Sequence, residues 1–235
     1  RIVGRPDQII SVLKNGMTVI VQRVSSPVVS VQGTVAAGSL DEEHHLGAGL
    51  SHLLEHLVAG GSNGRRTEAE NRDLLQRIGN NSNAYTTQEA TSYFVNTTPE
   101  HLDSAVDLVT GWMLTARIMP EEFDREHQVV QRELEMDKGN PDWVFYEMLN
   151  DNRYRTGPAR VPTIGYQSII RGLSRQVVAD YYRAAYQPNN MVFVVTGDLD
   201  PQVMLAAVQK NVAEAASTTV FQRPLAEELP ILAPR

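Results

Sequence analysis

The chain has no cysteine at all, which removes a disulfide framework and any thiolate metal site at a stroke. A bound metal would have to be held by histidine, aspartate or glutamate. A basic surplus is also missing. Lys and Arg number 21 against 28 Asp and Glu, for a formal charge of −7, and no basic run offsets this, so a nucleic-acid surface is not expected. No stretch approaches the roughly 18 apolar residues that a membrane span needs. Nothing at the start has the profile of a signal peptide, since Arg1 leads at once into strand-like sequence. There is no internal repeat and no low-complexity segment. What remains is 235 residues, 42% of them hydrophobic: enough for a core in one large domain or two small ones.

The first forty residues read as strands. QIISVLKNGMTVIVQRV carries two β-rich runs joined by Asn15-Gly16, a hairpin signal, and VVSVQGTVAAG alternates like a half-buried strand. The period then changes, and a helix is expected from about Leu46 to Val58, with Gly60 and Gly61 at its end. Thr67 to Glu70 form a capping-box pattern for a second helix running to Gly79. SNAYTTQEATSYFVNTT suggests two short strands around a turn near Gln88-Glu89. Pro99 and Pro120 suit the first turns of helices to about Leu114 and Asp137. Helices near 141–151 and 174–186, the strand MVFVVTG and a last helix from about Pro201 complete the pattern. Strands on both sides of a helical block favour α+β over alternating α/β. Residues 1–220 are expected to form the domain, and 221–235, with three prolines in RPLAEELPILAPR, to be a linker or tail.

One stretch carries chemistry: GLSHLLEHLVAGG, residues 49–61. On a helix, His52 and His56 lie on one face a turn apart, and can share a tetrahedral ion. Glu55 sits about 60° round the helix from His52, so its carboxylate reaches over the same point without having to bind there. That placement suits a general base that takes a proton from an attacking water. The bland alternative is a core helix whose leucines are buried and whose histidines are half exposed. A catalytic zinc also takes a third protein ligand. The segment EEFDREHQVVQRELEMDK places Glu126 and Glu133 seven residues apart, on one helix face with Val130 between them. Carboxylates near an apolar stripe pair or bind metal. Ion pairs with Arg125, Arg132 or a distant arginine are the alternative.

HLLEH followed by this glutamate pair resembles the inverzincin signature of the pitrilysin/insulinase family of zinc peptidases. Residues 57–132, 76 in number, separate His56 from Glu133, and Glu126 stands seven earlier. The resemblance implies that His52, His56 and Glu133 are Zn2+ ligands, that Glu55 is the general base, and that Glu126 orients a ligand histidine. NGMTVIV, AAGSLDEE and YQPNNMVFVVTGDLDP resemble other stretches of the family, so the likeness runs from about residue 8 to 215. SNAYT resembles the family's edge strand, where Asn83 and Ala84 would hold a peptide substrate by strand addition. Turn chemistry is the alternative for Asn83. Leu57-Val-Ala-Gly-Gly-Ser departs from the family's commoner aromatic and lysine before Gly-Thr. His44, His45, His101 and His127 are expected to have no direct metal role.

The fold implied by the resemblance is α+β, a mainly antiparallel sheet with helices packed on one face. The family pairs this domain with a second, similar one that contributes an arginine and a tyrosine to the site. The implied function is a zinc endopeptidase half-site that needs a homologous half or partner subunit. A non-catalytic structural or partner subunit of the same family is the alternative, though such members usually have a broken metal motif. Another hydrolytic or lyase-type zinc enzyme fits the downstream glutamate spacing less well. Bacterial relatives occur in periplasm and cytoplasm, and mitochondrial ones process presequences; the residues quoted do not choose among them.

Overall fold

A computed structural model of the chain describes residues 2–79 and 81–221, with side chains from Arg5 onward. Beyond residue 221, the expected tail lies outside the described residues. Seven strands among the described residues form one sheet: β1 (Ile2–Arg5), β2 (Gln8–Val12), β3 (Thr18–Arg23), β4 (Val29–Val35), β5 (Asn81–Thr86), β6 (Thr91–Thr97) and β7 (Met191–Gly197). Their order is β1-β2-β3-β7-β4-β6-β5. Only the β3–β7 pair is parallel; the other pairs are antiparallel, as expected for a mainly antiparallel sheet.

Alternation gives the sheet two unlike faces. Val19, Val21, Val29, Val31, Val35, Val95 and Val195 are fully buried on one face, while Gln22, Gln32, Thr34 and Thr196 on the other are only half-buried. The buried face is covered by α3 (Leu102–Thr115) and α8 (Pro201–Val212), which contact β4 and β6, and β2 and β3, respectively. Mid-sheet, Gly33 lies opposite Tyr93 and Phe193. A Cβ on Gly33 would fall 2.1 Å from Met113 Sδ of α3, so the helix sits as close as it does because no side chain is there.

Six further helices are found among the described residues. They are α1 (Leu50–Val58), α2 (Glu68–Arg77), α4 (Pro120–Asp137), α5 (Pro141–Arg153), α6 (Gln167–Ile170) and α7 (Arg175–Ala185). α1 contacts β5, β6, α4 and α7. Its leucines Leu50, Leu53, Leu54 and Leu57 are all at most 2% exposed, each contributing about 1.5–3 kcal/mol by burial.

α1 starts at Leu50 rather than Leu46. Gly47 and Gly49 take positive φ angles of 85° and 60°, which break the helix, and Ser39–Asp41 and Glu43–His45 form short 3-10 turns. Likewise Pro99–His101 is a 3-10 turn and α3 begins at Leu102. β1 and the single-turn α6 are elements that the sequence pattern did not announce.

Candidate metal centre

α1 carries no side-chain cap of its own, because its N-cap is Gly49. The buried carboxylate of Glu42 takes that part: Oε1 accepts a 2.9 Å hydrogen bond from Ser51 N, and Leu50 and Gly49 also donate to it. Ser51 Oγ is in turn 3.0 Å from Tyr181 Oη on α7. This end of α1 is therefore held from two sides, one residue before His52. α4, 18 residues long with Pro120 in its first turn, packs across α1 and buries Phe123, Val130 and Leu134. That seating turns Glu126 and Glu133 towards α1 rather than into the core; their side chains are 16% and 37% exposed.

Glu133 Oε2 lies 3.4 Å from His56 Nε2 and 3.9 Å from His52 Nε2. One ligand atom from each of His52, His56 and Glu133 falls within 4.8 Å of the others. A tetrahedral zinc with bonds near 2.0–2.1 Å sets ligand atoms about 3.3 Å apart, so two imidazole nitrogens and a carboxylate oxygen spaced like this suit zinc with small adjustments. On the far side of His56, Nδ1 donates to Glu126 Oε2 at 3.3 Å. This bond fixes the tautomer that leaves Nε2 free to coordinate. Glu126 also accepts from Arg125 Nε at 2.9 Å, and Arg125 reaches Glu68 of α2 at 2.8 Å. Glu126 thus pairs both with Arg125 and with His56.

The titratable groups diverge. Burial, with the neighbouring His56 adding to it, lowers the His52 pKa to about 4. His52 is therefore neutral at ordinary pH, the form in which an imidazole is able to ligate a metal. For His56 burial also acts downward, but the Glu126 hydrogen bond and the charges of Glu55, Glu133 and Glu126 outweigh it and the pKa is raised. Glu126 is lowered, chiefly by its bond to His56. Glu55, 9% exposed, is raised by burial, with the Thr86 hydrogen bond pulling the other way. Thr86 Oγ1 donates that bond to Glu55 Oε2 at 2.6 Å.

These groups open onto a cavity of about 670 Å³, bordered by Ser82–Thr86 of β5. β5 pairs with β6 on one side and ends the sheet. Asn83 is exposed and Ala84 half-buried on this strand, and the Ala84 N–H donates to Asn83 Oδ1 at 2.9 Å. Asn83 therefore occupies a backbone donor on the outer edge. The other histidines stand apart from the centre: His127 Nε2 lies 2.7 Å from Ile170 O, tying α4 to α6, and His44 and His45 are exposed.

Comparison with known proteins bears on what this arrangement is. The sequence pattern of the insulinase family (peptidase family M16) matches residues 18–166, more than half of the chain. The chain belongs to the insulinase family. A second pattern, that of the peptidase M16 inactive domain, matches residues 172–231. An uncharacterized zinc protease of Rickettsia felis is 26% identical over 86% of this chain and 48% of its own length. Cytochrome b-c1 complex subunit 1 of mouse is 27% identical over 90% of the chain and 44% of its own length. Among solved structures, a protease from Helicobacter pylori superposes with a TM-score of 0.90 at 25% identity, covering 95% of this chain and 55% of that one. The chain thus spans about half the length of these relatives. The family resemblance and the α+β fold expected from the sequence are both borne out. Among the described residues no helix is long and apolar enough to cross a membrane.

Thr86 and Glu42 were not singled out from the sequence. Thr86 stood in plain view in SNAYTT and Glu42 within SLDEE, but nothing in either motif shows which partner it meets.

Proposed function

We propose that this chain is the metal-bearing half of a zinc endopeptidase, with His52, His56 and Glu133 as ligands, Glu55 as general base and Glu126 orienting His56. The observation that carries the reading is the convergence of two imidazoles and a carboxylate, with a buried second carboxylate beside them, at the foot of an open strand edge. Zinc bound there supplies a Lewis acid that polarises the scissile carbonyl and makes water a better nucleophile. Glu55, held by Thr86, accepts the proton of the attacking water at its carboxylate and delivers it to the leaving amine. Its raised pKa brings it nearer the range in which a carboxylate both takes and returns a proton.

The substrate is an extended peptide that adds to β5 through backbone hydrogen bonds. In doing so it displaces the Asn83 side chain from the Ala84 N–H. A second homologous half or partner subunit completes the site. Among the residues lining the cavity the one arginine or lysine is Arg125, already paired with Glu68 and Glu126. Among the described residues no other cation lines this cavity to meet the developing oxyanion. The chain's span of about half its relatives' length supports the same need.

The deciding experiment is zinc content and peptide hydrolysis of wild type and Glu55→Gln, each combined with the second half. The variant should keep stoichiometric zinc and lose hydrolysis; full activity in it would sink the assignment. The second reading, a non-catalytic partner subunit, is favoured by the likeness to cytochrome b-c1 complex subunit 1. Failure of wild type to take up zinc would turn the balance to it.

A further inference from the structure

On the zinc-site reading, we propose that Arg125 is a positioning residue for the metal centre: it fixes the carboxylate of Glu126 in the orientation that holds His56, and Glu68 of α2 fixes Arg125 in turn. The two oxygens of Glu126 are divided between two donors. Oε2 takes the bond from His56 Nδ1 at 3.3 Å, and Oε1 takes one from Arg125 Nε at 2.9 Å. The terminal torsion of a glutamate is broad, so a carboxylate held at one oxygen alone swings, whereas one held at both points a single way. Helix geometry does not supply the second bond by itself. Arg125 and Glu126 are consecutive, about 100° apart round α4, and consecutive residues do not face each other. What draws the guanidinium across is Glu68, whose Oε1 accepts from Arg125 Nη2 at 2.8 Å. One planar guanidinium thus spans carboxylates on two helices.

Glu68 is itself anchored. It opens α2, and its N–H donates to Ser62 Oγ at 3.0 Å. Ser62 Oγ donates in turn to Glu122 Oε1, and Ser62 N donates to Glu122 Oε2 at 3.1 Å. Glu122 is 7% exposed and sits one turn before Glu126 on α4. α4 therefore grips the segment from α1 to α2 at three points (Glu122 to Ser62, Arg125 to Glu68, Glu126 to His56), and these close a ring beside the metal-facing histidine. The Arg125 and Glu68 side chains are 46% and 38% exposed, and an ion pair as wet as this adds little to fold stability. Its effect is on where Glu126 points. Taken as a bare charge, Arg125 acts the opposite way: a cation beside the site repels Zn2+, and removing it would tighten binding. A clamp and a bare charge thus differ in sign.

The test is the zinc dissociation constant of the full chain, by competition with a chelator, with the unfolding midpoint of each metal-free protein measured beside it. The variants are Arg125→Met, Arg125→Lys, Glu68→Gln, Glu126→Gln and the double variant Arg125→Met with Glu126→Gln. Arg125→Met should bind zinc about three- to tenfold more weakly than wild type, a step below what loss of a ligand-orienting partner itself costs. Arg125→Lys keeps the charge but cannot span both carboxylates, and should do no better. Glu68→Gln should shift the affinity the same way by a smaller factor. In the Glu126→Gln background Arg125→Met should cost nothing further, because the residue through which it acts is gone. Midpoints should stay with wild type. Tighter zinc in Arg125→Met, an unchanged affinity, a loss that adds to that of Glu126→Gln, or a loss that tracks a lowered midpoint overturns the clamp and leaves the zinc site standing. No zinc in wild type overturns both. Glu68→Gln, with and without Glu126→Gln, decides the question if Arg125→Met fails to fold.

Discussion

The hydroxyl of Thr86 donates a 2.6 Å hydrogen bond to Oε2 of Glu55, joining the edge strand on which a peptide would lie to the helix that carries the proposed base. A hydrogen bond to a charged group contributes about 1.5–3 kcal/mol, and here it also fixes where the carboxylate points. Thr86→Val preserves the shape and removes the donor. Its kcat on a fluorogenic peptide, measured with the second half present, should fall about tenfold or more, with zinc content unchanged, and Thr86→Ser should restore most of it. Unaltered turnover in the valine variant would show that Glu55 needs no such support.

Glu126 and Glu133 approach His56 from opposite nitrogens, and the two glutamates should separate cleanly in a zinc competition against a chelator. Glu133→Gln removes the charge of a proposed ligand and should lose stoichiometric zinc. Glu126→Gln leaves the ligand atoms in place and loosens the orientation of one imidazole, a change that costs about 10- to 100-fold in metal affinity. Equal losses in both variants would mean that Glu126 is itself a ligand.

Much of this centre could be read from the sequence, and the reason is local geometry. The spacing of His52 and His56 fixes their shared face once the segment is helical, and seven residues do the same for Glu126 and Glu133. The hairpin of β2 and β3 and the pair β5 and β6 follow from turn residues and alternation. What could not be read depends on contacts between distant residues. β7 enters the sheet between β3 and β4 through a parallel pairing about 170 residues long in sequence terms, from Thr18↔Val192 to Arg23↔Gly197, and no local pattern encodes that order. The start of α1 was placed too early because Leu46 and Ala48 fit a helical hydrophobic pattern. The bond from Tyr166 N to Gly47 O at 2.7 Å, which helps set those residues apart from the helix, comes from a loop more than a hundred positions away.

That same junction yields a stability prediction. Gly49 has φ +60°, and a Cβ on it would fall 2.0 Å from the carbonyl oxygen of Ile164. Gly49→Ala therefore combines a left-handed alanine, at about 1–2 kcal/mol, with a clash against backbone that has little room to yield. Denaturant unfolding should show a loss of at least about 2 kcal/mol, together with weaker zinc binding as the first turn of α1 shifts. A loss under about 0.5 kcal/mol, the scale of an ordinary surface substitution, would mean that the loop at Ile164 is not a fixed stop.

Glu42 gives the fold a pH dependence of its own. It is 2% exposed, and burial raises its pKa from the ordinary 4.5 to about 7, against the lowering effect of hydrogen bonds from Ser51, Leu50 and Gly49. The folded protein therefore holds this proton more tightly than the unfolded chain does. The stability so conferred is fully present below about pH 4.5 and is lost as pH rises through about 7, at 1.36 kcal/mol per unit, or about 3 kcal/mol in all. Glu42→Gln keeps an oxygen acceptor for the Ser51 N–H and does not titrate. Whatever constant offset the amide brings, the unfolding free energy of the variant minus that of wild type should climb in the variant's favour between pH 5 and pH 7, then level off. Urea unfolding of both proteins at half-unit intervals measures this directly, because every other titrating group cancels in the difference. A flat difference across that window would mean that Glu42 is already ionised in the fold, stabilised by the first-turn amides of α1 strongly enough to overcome its burial.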